Sequence, residues 1–490
     1  MTPTLVLTLT LVAAGASAAL LLVAEMMGRA DAGRKLAALL LFAAGGVALT
    51  AGWAVAPATV WGAFATGGGR ATAAGLVLVL SAASLLAGGG KRSGVVSALM
   101  ALGAGGAIVS LSSIDLLTML IGIEIAAVSA YGIVASSGDG RADEAALKYF
   151  IQGSVATGFF VLGLAVVVGL AAPDAKISSL LVTAQRLPAD ALMLAAVGLV
   201  GALAFKSGAA PMHSWAPDAY ETAPAEGAGF MAGSLKLAMV TTLAVVVSAF
   251  GTIVASGAPL GDRLVLLMGG LALLSVIIGS TVALKTRSYA RLLGYAGVAQ
   301  VGYALIALAA SNPSGALLFI STYAVATTAA FAAAAAVRKL SPDWDGSVEG
   351  LAGLGRKHPV LGAALTLALV SLSGIPPLVG FWGKFQAFGS AIAVSASYYA
   401  TSRPGFGWWL AVLAAAGVMG SIISLGYYGA IVRAVYAETG EDAPVNEPVQ
   451  GAKTAIAVSA ILAFVLVIAG VLPIFGDLSQ IVAGFLLNLS

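Results

Sequence analysis

Apolar runs of about 20 residues recur along almost the whole sequence, from Leu5 to Ile474. An α-helix needs about 20 consecutive apolar residues to cross the hydrocarbon core of a bilayer. Hydrophobic residue types make up 60% of the 490 residues and charged types only 9%, whereas a soluble domain carries about 25% charged residues. The chain cannot cover a water-exposed surface of ordinary size, so we expect a single membrane domain over residues 1–490.

The apolar runs predict an all-α bundle. Backbone groups in hydrocarbon must be hydrogen-bonded within the protein, and continuous apolar runs suit helices rather than the alternating strands of a barrel. We expect about fourteen transmembrane spans, near residues 4–24, 36–56, 71–88, 94–111, 115–136, 145–171, 190–212, 228–252, 264–284, 290–310, 314–337, 359–389, 407–432 and 453–474. The apolar stretch after Phe475 is too short to cross and is expected to lie at the membrane interface.

The loops between these spans differ in their content of Lys and Arg. Fifteen basic residues fall in the odd-numbered loops and five in the even-numbered loops. Because cytoplasmic loops carry the excess of Lys and Arg, both termini are predicted to face away from the cytoplasm. The net charge of +3 reflects this asymmetry, and no basic groove or recognition motif indicates nucleic-acid binding.

Five ionisable residues lie inside the apolar spans, where membrane topology does not explain them: Glu124, Lys148, Lys206, Lys236 and Lys384. A charge at the centre of a bilayer costs about 2.5–3.5 kcal/mol on insertion scales, so such residues need a partner, water or a function. Structural alternatives remain open, since Lys148 could extend to the cytoplasmic surface and the others could pair helices or anchor them.

The same five residues are suited to carrying protons. Removal from water favours the neutral lysine amine, whereas a nearby carboxylate favours the ammonium. Small movements of a partner charge can therefore load or unload a proton. We predict a proton relay of these five residues in which Glu124 pairs with Lys148 or Lys206.

Prolines interrupt two of the spans. Pro211 removes the N–H group that would bond the Ser207 carbonyl, and Pro376 with Pro377 do the same to the carbonyls of the residues four positions before them, Leu372 and Ser373. Carbonyls freed in this way must line a cavity or bind water. Interruptions at corresponding places in two halves indicate an inverted-repeat transporter. We expect one repeat at about 94–252 and the second at about 264–432.

Other polar features are fewer. His213 follows the first break, where it could cap a helix end or admit protons. The chain has no cysteine and two histidines, which argues against disulfides, cysteine-bound clusters, haem and multi-histidine metal sites. There is no Walker loop and no dinucleotide fingerprint. We expect no metal, no cofactor and no catalytic residue in this chain.

Four segments resemble the antiporter-like membrane subunits of respiratory complex I (NADH-quinone oxidoreductase), most closely the N type: EAALKYFIQGS, KSGAAPMHSWAPDAYETAP, RLLGYAGVAQVGY and LSGIPPLVGFWGKF. The resemblance implies fourteen helices in two inverted five-helix repeats, with helices 7 and 12 broken. It also implies that Glu124 and Lys206 interact, that Lys148 lies beside them, that Lys236 is the central relay and that Lys384 is the terminal lysine.

The segments also show how this chain differs from its relatives. The lysine in GFWGKF favours the N type, because the M type resembles this stretch with a glutamate in its place. Gln300 stands where many members have a histidine, and AEGAG replaces the usual prolyl stretch after ETAP.

The resemblance implies a proton-translocating subunit of an enzyme, with no redox chemistry of its own. The expected location is a bacterial inner membrane, among lipids and next to the M-type and the small K- and J-type subunits. Flavin, iron–sulfur clusters and quinone are expected in partner subunits. The alternatives are a subunit of a multi-subunit cation/proton antiporter, the M-type subunit, or a membrane scaffold that tolerates neutral substitutions at all five charges.

Overall fold

The computed structural model of the protein describes residues 2–89, 93–170, 175–177, 188–255, 259–400, 403–437 and 450–475. These residues are almost entirely helical, apart from a small antiparallel hairpin of β1 (Ala58–Val60) and β2 (Phe64–Thr66). The predicted all-α class is confirmed. The predicted interfacial stretch after Phe475 lies outside the described residues. Three of the twenty basic residues counted in the loops also lie outside them, namely Lys91, Arg92 and Arg186.

Thirteen helices in the described part of the chain are long and apolar enough to cross a membrane, and Pro359–Ser373 is a shorter apolar helix. The α-helices are α1 (Pro3–Met26), α2 (Ala30–Ala54), α3 (Gly68–Ala87), α4 (Ser93–Ser112), α5 (Leu116–Ala135), α6 (Gly140–Leu170), α7 (Ala189–Ser207), α8 (Trp215–Thr222), α9 (Ala225–Phe230), α10 (Lys236–Ala255), α11 (Pro259–Ala283), α12 (Tyr289–Ala309), α13 (Pro313–Leu340), α14 (Leu354–Lys357), α15 (Pro359–Ser373), α16 (Val379–Ala400), α17 (Pro404–Val435) and α18 (Gln450–Phe475).

Every predicted span coincides with one of these helices or with a consecutive group of them. The eighth span consists of α9, a π-helix at Met231–Leu235 and α10, and the twelfth consists of α15 and α16. The largest differences lie at helix ends, since α2 begins at Ala30 and α16 continues to Ala400. Helices extend past the apolar run because their backbone hydrogen bonds continue where polar side chains reach water.

The two predicted breaks are present and are built alike. α7 ends at Ser207 and α15 ends at Ser373, and each is followed by a glycine with a positive φ, +84° at Gly208 and +81° at Gly374. Only glycine adopts this conformation without strain, and its N–H satisfies carbonyls in the last helical turn. In each predicted repeat the broken span is the fourth of five, although the repeat boundaries themselves stay a prediction.

The centre of the bundle is formed by three spans. The windows over Ala225–Phe250, Tyr289–Ala309 and Pro313–Leu340 are each 94% buried, whereas the window over Gly140–Leu170 is 28% buried. An apolar helix that is buried all round belongs to the interior of a bundle. These central helices carry Lys236, Gln300 and Tyr323.

Helix α5 is fixed in place at its start and along its length. The Asp115 carboxylate accepts a hydrogen bond of 2.7 Å from the Thr118 N–H and so caps the helix. A Cβ at Gly122 would lie 2.4 Å from the backbone nitrogen of Ser110, so only glycine lets α4 and α5 approach this closely. Close packing on α4 fixes which face of α5 presents Glu124.

Candidate functional site

The first two buried charges form an ion pair between α5 and α7. Lys206 Nζ lies 3.0 Å from Glu124 Oε1 and 3.4 Å from the Tyr131 hydroxyl. The Thr157 hydroxyl donates to the same Glu124 oxygen at 2.7 Å. The Lys206 side chain is 4% exposed and the Glu124 side chain 34% exposed. Of the two predicted lysine partners, the structure places Lys206 against Glu124.

Lys148 forms its ion pairs with other carboxylates. Its Nζ is 2.6 Å from Glu144 Oε1 and 3.6 Å from Asp218 Oδ2, and its side chain is 48% exposed. The reason is local, because α6 begins at Gly140 and places Glu144 one turn before Lys148 on the same face. The resemblance implied a position beside Glu124 and Lys206, and the ion pairs of Lys148 in the structure are with Glu144 and Asp218.

A small cavity connects Lys206 with Lys236. It leaves about 20 Å³ for the centres of water molecules, and its walls include Tyr149, Trp215 and Tyr220. A cavity of this size with two lysines in its walls can hold a water molecule. Lys206 and Lys236 thus border one small cavity, although they come from different spans.

Two stacked aromatic rings close the side of this cavity that faces α8. The Tyr149 and Trp215 rings lie 4.0 Å apart with 2° between their planes. The Trp215 indole N–H donates at 3.2 Å to the carbonyl of Phe205, in the last turn of α7. This contact ties the short helix α8 to the end of the broken helix.

Lys236 is the most isolated of the five charges. It begins α10 directly after the π-helix and is 2% exposed. Its Nζ has no hydrogen-bond partner among the residues that the structure describes, and it lies 5.6 Å and 5.5 Å from the ring centres of Tyr220 and Tyr323. An ammonium group without a partner in such a place is costly. Lys236 therefore requires either the water that the cavity can hold or a neutral amine.

Lys384 is held by the second helix break. Its Nζ donates to the Ser373 carbonyl at 2.9 Å and to the Ser421 hydroxyl at 2.8 Å, and it lies 5.1 Å from the ring centre of Tyr303. The Ser421 hydroxyl donates to the same Ser373 carbonyl at 3.1 Å. The Leu372 carbonyl accepts a hydrogen bond of 3.1 Å from Gln300 Nε2. The two carbonyls predicted to be freed by the double proline are thus bound by side chains.

A second, smaller cavity lies beside Lys384. It leaves about 10 Å³ for the centres of water molecules and is lined by Lys384, Gln300, Thr322 and Tyr323, among others. Tyr323 therefore borders this cavity on one side and Lys236 on the other.

The prolines and His213 lie outside both cavities. Pro211, Pro376 and Pro377 are exposed on the isolated chain. His213 is in the loop between α7 and α8, with Nδ1 3.1 Å from the Pro211 carbonyl oxygen. Burial lowers the pKa of the His213 imidazole, and the hydrogen bond to Pro211 opposes this only in part. The lowered pKa favours the neutral imidazole, which can accept a proton.

A network of ion pairs surrounds α8. Arg291 Nη1 lies 2.7 Å from Asp218 Oδ1 and 3.0 Å from Glu221 Oε2, and Arg141 pairs with Glu221 at 3.1 Å. With Lys148 these side chains surround a cavity of about 150 Å³. The sequence analysis did not find this network, because its members lie up to 150 positions apart and look like ordinary loop charges. Among the described residues, no group of three or more His, Asp or Glu side chains is placed to hold a metal ion.

Tyr131, Tyr149, Tyr323 and Ser421 were also missed. Each is a single aromatic or hydroxyl residue in an apolar helix, which is ordinary for a membrane bundle. No signal in one sequence separates such residues from the rest of the core, since their partners come from distant spans.

The chain is a membrane bundle in which the fourth span of each predicted repeat is broken and in which one cavity is shared by two buried lysines. These features fit the class of antiporter-like membrane subunits. Residues 113–403 match the family described as NADH:quinone oxidoreductase/Mrp antiporter, transmembrane. The chain belongs to this family and, within it, to the subunit N members of NADH-quinone oxidoreductase, on the evidence of the relatives that follow.

Two curated relatives illustrate the match. The chain is 34% identical over 375 residues to NADH-quinone oxidoreductase subunit N 2 of Acidobacterium capsulatum, covering 74% of this chain and 72% of that protein. It is 35% identical over 376 residues to the protein of the same name from Symbiobacterium thermophilum, covering 72% and 69%.

Chains in solved structures are also similar to this chain. A chain of respiratory complex I from Thermus thermophilus is similar with a TM-score of 0.77 and 29% identity, covering 95% of this chain and 97% of that one. A chain of the Mrp complex from a Dietzia species has a TM-score of 0.74 at 18% identity over 98% and 97%, a likeness of fold alone. The protein is accordingly a multi-pass membrane subunit of a multi-subunit membrane complex.

Proposed function

We propose that this chain is a proton-translocating membrane-arm subunit of a bacterial NADH-quinone oxidoreductase, and that protons cross it through Glu124, Lys206, Lys236 and Lys384. The observation that carries the proposal is the cavity shared by Lys206 and Lys236. One of these lysines is bound to a carboxylate, and the other has no hydrogen-bond partner among the described residues. Such a pair of amines can exchange one proton through a single water molecule.

The driving step is electrostatic. Two unit charges 3.0 Å apart attract each other by roughly 5 kcal/mol at an effective dielectric constant of about 20. If Glu124 turns away from Lys206, the ammonium loses this stabilisation and releases its proton toward Lys236. Quinone reduction elsewhere in the complex would supply the change in charge near Glu124, and Lys384 would pass the proton on.

The partial exposure of Glu124 supports a partner subunit at this face. About a third of its side chain is open on the isolated chain, and an ionised carboxylate facing lipid is costly. We place a neighbouring membrane-arm subunit of the M, K or J type against α5 and α6. Flavin, iron–sulfur clusters and quinone belong to partner subunits in this proposal, and the chain itself carries no redox chemistry.

Lys148 and His213 lie on the side of the bundle that carries the ion-pair network around α8. Lys148 is half exposed and contacts Asp218 of α8, and His213 lies just before α8. The basic-residue count predicts that this side faces the cytoplasm, with both termini on the opposite side. We assign these two residues to proton uptake, ahead of the buried part of the relay.

Replacing Lys206 tests the proposal. In the assembled complex, Lys206→Ala should lower proton pumping to near background because Glu124 loses its exchange partner, while the complex still assembles. Proton uptake by vesicles during NADH oxidation measures this. Lys285→Ala, at an exposed lysine beyond α11, is the control and should pump normally. Normal pumping by an assembled Lys206→Ala complex would contradict the proposal.

A second candidate is a subunit of a cation/proton antiporter, favoured by the fold shared with the Mrp complex and by the family description. An antiporter works without a redox partner. Reconstitution of this chain by itself, followed by a sodium gradient, should then move protons under the second candidate and leave them unmoved under the first.

A further inference from the structure

Neither of the two cavities connects Lys236 with Lys384, so a proton needs another group to pass between them. The first cavity contains Lys206 and Lys236, and the second contains Lys384. Gln300 lines the second cavity, but its amide neither gains nor loses a proton at ordinary pH, so it is a poor carrier. Tyr323 reaches both places, since its ring centre lies 5.5 Å from Lys236 Nζ and its side chain lines the second cavity together with Lys384.

Gly297 on α12 leaves a space between Lys236 and Tyr323. A Cβ built on Gly297 would lie 2.8 Å from Lys236 Nζ and 2.8 Å from the Tyr323 hydroxyl. Because the amine and the hydroxyl both lie 2.8 Å from this one point, they are no farther from each other than twice 2.8 Å. Two polar groups at such a separation are bridged by a single water molecule when space is left for it.

The Tyr323 hydroxyl is enclosed and makes no hydrogen bond of ordinary geometry among the described residues. The Thr327 hydroxyl on the same helix interacts with it only weakly. Buried hydroxyls in folded proteins are normally hydrogen-bonded, so one that makes no such bond to protein indicates a water or a functional contact. Its immediate surroundings supply both, with the amine of Lys236 on one side and the cavity of Lys384 on the other.

We propose that the Tyr323 hydroxyl, with water in the space left by Gly297, is the bridge by which protons pass between Lys236 and Lys384. The inference rests on the proposed function and adds a residue to it. The Lys236 ammonium gives a proton to the bridging water, which passes one to the Tyr323 oxygen. As that O–H bond forms, the original Tyr323 O–H bond breaks, and its proton moves through the second cavity to the Lys384 amine. The phenol is neutral before and after the transfer.

Tyr323→Phe is the primary test, carried out in the assembled complex. The substitution keeps the ring and removes only the hydroxyl, so the fold should be unaffected. We expect the rate of pumping to fall by about tenfold. This loss is smaller than is typical when an acid–base group is removed, because water can partly replace the hydroxyl. The solvent deuterium isotope effect on turnover should rise, since proton transfer becomes slower than the other steps. A purely structural hydroxyl would change neither quantity.

Tyr289→Phe is the matched control. Its hydroxyl is also buried, but it donates a hydrogen bond of 2.8 Å to the Ala330 carbonyl. Its loss should lower thermal stability slightly and leave pumping and the isotope effect unchanged.

Gly297→Ala tests the space between the two groups independently. The added methyl group meets only the ends of two side chains, so the helix can accept it while the bridging water is displaced. We expect a several-fold loss of pumping. Gly201→Ala on α7, where a Cβ meets nothing within 4 Å, should pump normally. The double variant Gly297→Ala, Tyr323→Phe should lose little more than either single variant, because both act on one step.

The outcomes separate the bridge from the relay. If Tyr323→Phe pumps normally while Lys384→Met does not, the bridge is wrong and the proposed function stands. If Lys236→Met and Lys384→Met also pump normally, the proposed function fails as well. A loss of pumping in Tyr323→Phe alongside normal Tyr289→Phe supports the bridge, and it decides the matter even if Gly297→Ala fails to assemble.

Discussion

At the scale of single residues, the buried lysines differ in how their charge is stabilised. Lys206 has a carboxylate partner, Lys384 has a carbonyl and a hydroxyl, and Lys236 has two aromatic rings. Because an ion pair favours the ammonium and an apolar site favours the amine, neighbouring positions differ in proton affinity. Stepwise proton transfer requires a row of groups that differ in proton affinity and whose affinities can be changed one at a time.

Lys148 should matter less than Lys206. Its side chain is about half exposed, and ion pairs that water screens contribute little. Lys148→Ala should therefore retain most proton pumping under conditions in which Lys206→Ala retains almost none. Pumping rates of the two assembled variants, measured side by side, check this order. An equal or greater loss of pumping in Lys148→Ala would contradict this order. It would show that Lys148 is as important for pumping as Lys206.

At the scale of helices, the breaks do more than bend the chain. Ending α15 at Ser373 leaves the Leu372 and Ser373 carbonyls free to bind Gln300 and Lys384. The prolines predicted which carbonyls would be released, because the rule that proline lacks an N–H is local. The donors that bind them could not be predicted, since Gln300 and Ser421 come from α12 and α17 and reach the break only through packing.

Gln300 should stabilise the second break. Gln300→Leu removes the donor to the buried Leu372 carbonyl, and an unsatisfied buried carbonyl costs about 1–3 kcal/mol. We expect a lower thermal unfolding midpoint for the purified complex or subunit. Gln152→Leu, at a glutamine on α6 that bonds the exposed Ser214, should stay within about 0.5 kcal/mol of the original. Equal stability of Gln300→Leu would mean that another donor, such as water, takes over the carbonyl.

At the scale of the whole molecule, much of the architecture was predictable. The lengths of apolar runs predicted where the spans lie, because the thickness of a bilayer leaves little choice of helix length. Thirteen helices in the described part of the chain are long and apolar enough to cross a membrane. The cost of charge in hydrocarbon identified Glu124, Lys206, Lys236 and Lys384 as exceptional. The path between them was not predictable. Tyr323 and Gly297 are common residues in apolar helices, and only the packing of α10, α12 and α13 brings them together.

Contacts between the two predicted repeats are part of this packing. Arg291 of α12 pairs with Asp218 and Glu221 of α8, so the second half of the chain holds the short helix of the first half. α8 in turn contacts the cavity of Lys206 through Trp215. Movements of one half can therefore change the surroundings of the first buried pair.

The central claim is that water joins the buried lysines into one path. A high-resolution structure of this protein within its assembled complex, in lipid, measures it directly. The account predicts ordered water between Lys206 and Lys236, beside Gly297, and between Tyr323 and Lys384. Cavities that stay dry or collapse in the assembled complex, with Glu124 and the lysines locked in separate contacts, would contradict it.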